Sequence, residues 1–179
     1  MKKRLILFIT LCLMALPPAG MASSVDLGPV WLSLPASCDV FTRNMAADDP
    51  ILALYGLSAG QVAQELSSRE LLLRAREISG AYTITLSAQS SQGPDFISLS
   101  DDELLSLRLP DTGAPDASPV LRSRQAAFLT FSSYGNISLI TRVSGTLYRL
   151  TLNAEGRVSG GMAESLRQTA LSMDFGLGQ

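Results

Sequence analysis

The chain has no histidine, and its only two lysines, Lys2 and Lys3, stand in the first three residues. The missing imidazole excludes His-ligated zinc, histidine general bases, and Ser-His-Asp or Cys-His catalysis within this chain. The missing lysine beyond residue 3 excludes a Ser-Lys pair. The stretch "GLSAG", residues 56–60, matches the G-x-S-x-G nucleophile elbow, but no base exists to take the Ser58 proton. The elbow also needs a preceding strand, whereas "DPILALY" reads as a short helix. Ser58 is expected instead to cap a following helix. Cysteine is scarce too, with only Cys12 and Cys38. A catalytic role for Cys38 lacks the base its thiol needs, since Arg43 cannot accept a proton.

The start, "MKKRLILFITLCLMALPPAGMASS", sets Lys2, Lys3 and Arg4 before an apolar run from Leu5 to Leu16. Pro17 and Pro18 break the run, and Gly20-Met21-Ala22 supplies small residues at the −3 and −1 positions. This is the pattern of a secretory signal peptide cleaved after Ala22. The run is short for a membrane span, which takes about 20 residues, so an uncleaved anchor is the less favoured reading. Thr10-Leu11 before Cys12 lacks the small residues of a lipoprotein signal. Cys12 therefore leaves with the leader, and Cys38 has no partner in the mature chain. Intermolecular pairing, a free thiol and a buried small hydrophobe remain open for it, and the last is favoured.

Residues 1–22 are thus read as the signal and 23–179 as one α+β domain. The leader takes three of the 14 basic residues and none of the 16 acidic ones, which leaves 11 arginines and a mature balance of −5. That balance argues against nucleic acid as a partner. No P-loop, EF-hand or dinucleotide fingerprint is present, and no cofactor is expected. Among the carboxylates, Asp48-Asp49-Pro50 has the form of a cap and first helical turn, and "SDDE", residues 100–103, that of a capping box. Nothing in these groups points to an enzyme.

Alternation supplies the strands. In "GPVWLSLP", Val30, Leu32 and Leu34 share one face; in "AYTITLSA", Tyr82, Ile84, Leu86 and Ala88 face inward, with Thr83, Thr85 and Ser87 outward. Such alternation predicts an antiparallel sheet with one face buried and the other more polar. Residues 36–44 are expected to be irregular or extended, with Cys38 and Val40 on one face. Short helices are expected at 50–55, 58–67 and 101–109, a strand at 70–78 and a surface loop at 111–119. A meander follows at 125–133, 137–143 and 146–153. The Ser144-Gly145 loop pairs Val143 with Thr146, Thr141 with Tyr148, and Leu139 with Leu150. A last helix at 162–172 carries Met162, Leu166, Ala170 and Met173 as its apolar stripe.

Strands with separate helices indicate α+β. The opening "VWLSLP" strand, the meander "AAFLTFSSYGNISLITRVSGTLYRLTLNAEG" and the closing "AESLRQTALSMDF" helix together resemble the PsbP/DcrB-like fold. The resemblance implies a central antiparallel sheet covered by helices, in an exported bacterial protein acting as an assembly or accessory factor. It covers most of the mature chain as pattern and transfers no sites. Some proteins of this pattern continue into a membrane anchor, so the chain is expected to be free outside the cell or anchored through a missing C-terminal segment.

The function expected is therefore non-catalytic binding of an extracytoplasmic protein or a small ligand. A carboxylate-dependent hydrolase and a lipophilic carrier are the alternatives. The candidate surface is the outer sheet face with Arg142 and Arg149, diagonal neighbours across a floor of Ile140 and Leu147, joined by Arg122 and Arg124 just before the meander.

Overall fold

The structure, a computed structural model, describes residues 23–109, 112, 114–116 and 120–177. The signal segment lies outside the described residues, and the loop expected at 111–119 lies partly outside them. Nine strands are described: β1 Ser23–Asp26, β2 Trp31–Leu34, β3 Cys38–Thr42, β4 Leu71–Glu77, β5 Tyr82–Ser90, β6 Leu121–Arg122, β7 Ala127–Ser133, β8 Asn136–Val143 and β9 Thr146–Ala154. The helices are α1 Pro50–Tyr55, α2 Ala59–Ser68, α3 Asp101–Ser106 and α4 Gly160–Leu171, with a 3₁₀ turn at Phe96–Ser98.

Strands β3 to β9 form a seven-stranded sheet in the order β3-β4-β5-β9-β8-β7-β6, and β1 and β2 form a separate hairpin. Every pairing is antiparallel. The architecture is thus α+β around an antiparallel sheet. The last strand, β9, inserts between β5 and β8, so everything from Ser91 to Val143 is an excursion from the middle of the sheet.

One sheet face carries the main core. Tyr82, Ile84 and Leu86 of β5 meet Tyr148, Leu150 and Leu152 of β9, beneath Leu166 and Ala170 of α4 and Val30, Leu32 and Leu34 of the hairpin. The backbones of Trp31 and Asp174 exchange two hydrogen bonds of 2.8 Å and tie β2 to the end of α4. The Phe175 ring closes the core against Tyr148, with centroids 5.1 Å apart.

Local chemistry fixes the short helices. Asp49 caps α1 through Ile51 N–H, and Pro50 supplies a preset first turn. Ser58 with Gln61, and Ser100 with Glu103, form reciprocal capping boxes at α2 and α3. Two expectations are corrected. The helix expected to reach Leu109 stops at Ser106, because Leu107 turns extended (φ −61°, ψ 144°) and the chain delivers Leu107 and Leu109 together into an apolar cluster. Gln125 belongs to a turn rather than a strand, since Ser123 N–H reaches Ala126 C=O at 2.8 Å.

Gly135 turns β7 into β8 at φ +74°, where a Cβ would stand 2.9 Å from the Gly156 carbonyl oxygen. Backbone on both sides leaves no room to yield. Gly135→Ala should therefore cost about 2 kcal/mol, combining left-handed strain with the clash. A urea midpoint unchanged from wild type would show the turn to be looser than this.

Candidate functional site

The second face of the sheet is built differently from the first. Over β3 and β4, helices α1 and α2 bury a cluster of Phe41, Leu52, Val62 and Leu66. Over β7 and β8, the segment through the 3₁₀ turn and α3 buries Phe96, Leu104, Leu109, Leu129 and Ile140. Between these two apolar caps the central strands present polar side chains in register.

One row runs Asp39–Arg76–Thr83–Asn153–Asn136–Ser133 across six strands. The next runs Phe41–Arg74–Thr85–Thr151–Ser138–Phe131. A third places Ser87 beside Arg149, and Arg149 beside Ile140. Cross-strand bonds tie β8 to β9 along the floor: Asn136 Nδ2 donates to Asn153 Oδ1 at 2.7 Å, and the Ser138 and Thr151 hydroxyls are 2.9 Å apart. Six strands at about 4.8 Å spacing make the rows roughly 24 Å long.

Two hollows sit on this floor. One, of about 400 Å³, is lined by Phe41, Tyr55, Arg74, Arg76, Thr83, Asn153 and Glu155 among others. The other, of about 410 Å³, is lined by Phe131, Asn136, Ser138, Arg149 and Thr151 among others. The Asn136–Asn153 pair joins them.

The arginines of β4 are set by their neighbours. Arg74 meets Glu65 of α2 at 2.5 Å and lies over the Phe41 ring at 5.1 Å. Arg76 lies over the Tyr55 ring at 5.6 Å. The Tyr55 hydroxyl donates to Asp39 Oδ2 at 2.7 Å, and this bond raises the phenol's pKa above its ordinary value. Among the described residues, neither Arg76 nor Arg149 has an ion-pair partner.

The arginine patch expected from the sequence is corrected by these placements. Arg142 is buried: its guanidinium donates to Ser91 Oγ at 3.1 Å and to the Pro94 carbonyl at 3.2 Å, and stacks over Phe96 at 5.1 Å. It fastens the covering segment to the sheet. Ile140 is fully buried in the cluster beneath that segment, and Leu147 packs against its edge. Arg122 performs a similar fastening, reaching Asp101 and the Leu99 carbonyl at 2.7 Å each. Arg124 stands elsewhere, in a shallow hollow with Gln125 and Asp174. Only Arg149 of the expected set lies on the open floor. Arg74 and Arg76 were missed. The signal was present in "LLLRARE", where alternation puts both on one face once the segment is read as a strand.

The acidic groups singled out in the sequence stand at helix starts, Asp48 and Asp49 at α1 and Asp101, Asp102 and Glu103 at α3. Asp101 pairs with Arg122, and the Ser100 N–H and hydroxyl hold the Glu103 carboxyl below its ordinary range. A hydrolytic acid needs the opposite shift.

Cys38 is buried, with its thiol free and its sulfur 3.8 Å from the Tyr82 hydroxyl. Burial pushes the thiol above its ordinary range, and burial together with the neighbouring Cys38 pushes the Tyr82 phenol up to about 12. The native state therefore holds these two protons more tightly than the unfolded chain. Their contribution to stability is complete below pH 9 and is lost as the pH climbs toward 12. Unfolding free energy measured from pH 8 to 12 should fall less steeply in Cys38→Ala/Tyr82→Phe than in wild type. Identical slopes would place both groups in contact with water.

Among the described residues, no helix is long and apolar enough to cross a membrane, and no three His, Cys, Asp or Glu side chains are grouped to hold a metal ion. No protein-family model matches the chain, and no curated protein matches it.

Proposed function

We propose that the chain is an exported, non-catalytic binding or accessory protein of PsbP/DcrB-like fold, working outside the cytoplasmic membrane, and that the polar rows on the second sheet face are its binding surface. The observation that carries this is the gap between the two apolar caps. Six strands have side chains in register there, yet among the described residues no element covers the middle ones, and two arginines stand there without ion-pair partners. The leader pattern of residues 1–22 supports export. Hollows lined by Arg, Thr and Asn suit a polar ligand better than a lipophilic one.

The test is native mass spectrometry of the protein recovered from its own host. The expected result is a chain beginning at Ser23 that carries an adduct, with the adduct lost in Arg76→Ala/Arg149→Ala. An adduct retained in full by that variant would place the binding surface elsewhere. A bare chain in wild type and variant alike would remove the reading.

A further inference from the structure

Resting on that reading of the second sheet face, we propose that its ligand is a linear acidic oligosaccharide, a chain of sugars bearing carboxylates. Three features of the floor select this chemistry together. Thr83, Thr85, Thr151 and Ser138 offer hydroxyls, and Asn136 and Asn153 offer amides, in parallel rows. These groups both donate and accept, as the hydroxyl groups of sugars do. Arg76 and Arg149 stand diagonally across the floor, two strands apart laterally and four residues apart along β9 through the Arg76–Thr83–Asn153 pairing. At ordinary strand dimensions their Cα atoms are separated by about 16 Å. Two cations so far apart match an extended ligand with spaced anionic groups, each guanidinium able to hold a carboxylate through two parallel bonds.

The third feature is what the floor excludes. Glu155 lines the same hollow as Arg76. Its carboxylate accepts bonds from sugar hydroxyls and repels a densely charged polyphosphate or nucleic acid more strongly than a ligand of spaced carboxylates. Phe41 and Phe131, which line the hollows, stand at the two ends of one row, and the positions between them present hydroxyls and an arginine, which suits a sugar chain better than a peptide with alternate apolar side chains. The site gains order from the α1–α2 cap as well. Arg74 is locked to Glu65, and Arg76 rests on Tyr55, so the cationic end is held before ligand arrives.

The probes are hexamers of galacturonate and of alginate, neutral cellohexaose, and a polyphosphate of matched charge, titrated into the exported chain by calorimetry and followed by amide chemical shifts. At least one uronate hexamer should shift the amides of β5, β8 and β9, with cellohexaose weaker by about tenfold or more. Arg76→Ala and Arg149→Ala should each weaken uronate binding about tenfold, the loss of one charged hydrogen-bonding partner. Thr85→Val/Thr151→Val, which keeps shape and removes two hydroxyls, should weaken the uronates and leave polyphosphate unchanged. Polyphosphate binding as tightly as the uronates would overturn the sugar assignment, and so would a floor unmoved by either uronate. If neither uronate binds while the host-recovered adduct still depends on Arg76 and Arg149, the surface stands and the sugar is wrong. If no adduct is found either, both fail.

Discussion

Phe96→Ala should lower the folding stability by about 3–5 kcal/mol, the usual cost of deleting a buried aromatic ring. The reasons are specific to where Phe96 sits. It is fully buried and packs with Leu104, Leu109, Ala127, Leu129 and Ile140. The turn that carries it is only three residues long and α3 only six, so neither has helical stability of its own. Their position depends on this ring, on the capping box at Ser100, and on Arg142 and Arg122 reaching across from the sheet. Removing the ring also takes away the surface on which the Arg142 guanidinium rests. At roughly 2–4 °C per kcal/mol for a chain of this size, the melting temperature should fall by about 6–20 °C. Amide exchange should accelerate first in residues 96–106. A loss below 1 kcal/mol would mean that the cap packs loosely and that Arg142 is held by its hydrogen bonds alone.

The dependence on Arg142 shows where sequence reading reached its limit. Alternation in "NISLITRV" correctly divides β8 into two faces, and the two-residue Ser144-Gly145 loop correctly sets its register with β9. Both residues of that loop take positive φ, 49° and 73°, as a tight hairpin of this twist requires. The caps at Asp49, Ser58 and Ser100 were legible for the same reason: donor and acceptor lie within three residues of each other. What covers a face is another matter. The partners of Arg142 lie 48 and 51 residues earlier, in a stretch that reads as an ordinary polar loop. Period alone cannot tell an outward face that meets water from one that meets a second small core.

The same limit explains the site. Thr83 and Thr85 were correctly set outward, but the rows they form include residues from six strands, and β5 and β9 are separated by the whole excursion from Ser91 to Val143. The strand order, which is non-local, brings Arg76 and Arg149 onto one floor, while the covering segment at residues 91–96 buries Arg142, and Arg122 and Arg124 lie on β6 and in the turn after it.

Phe41→Ala should be as costly as the loss of Phe96, about 3–5 kcal/mol, but its functional consequence should differ. Phe41 is 1% exposed and holds Leu52, Val62 and Leu66 of the α1–α2 cap. It meets Tyr55 edge-on at 5.3 Å and lies under Arg74 at 5.1 Å. Tyr55 in turn supports Arg76. One ring thus sets the cap and, through two contacts, both cationic side chains at this end of the floor. At a temperature where each variant is still folded, Phe41→Ala should weaken ligand binding along with stability. Phe96→Ala, which loosens the opposite cap and touches neither Arg74 nor Arg76, should lose stability while keeping most of its affinity. Phe41→Leu separates packing from stacking. It restores much of the volume, so stability should recover to within about 1.5 kcal/mol of wild type, while the flat surface under Arg74 stays absent. Denaturant titrations paired with binding isotherms on the three variants decide the point. Equal losses of affinity in Phe41→Ala and Phe96→Ala would mean that binding follows global stability and that the ordering of the arginines by the α1–α2 cap contributes nothing of its own.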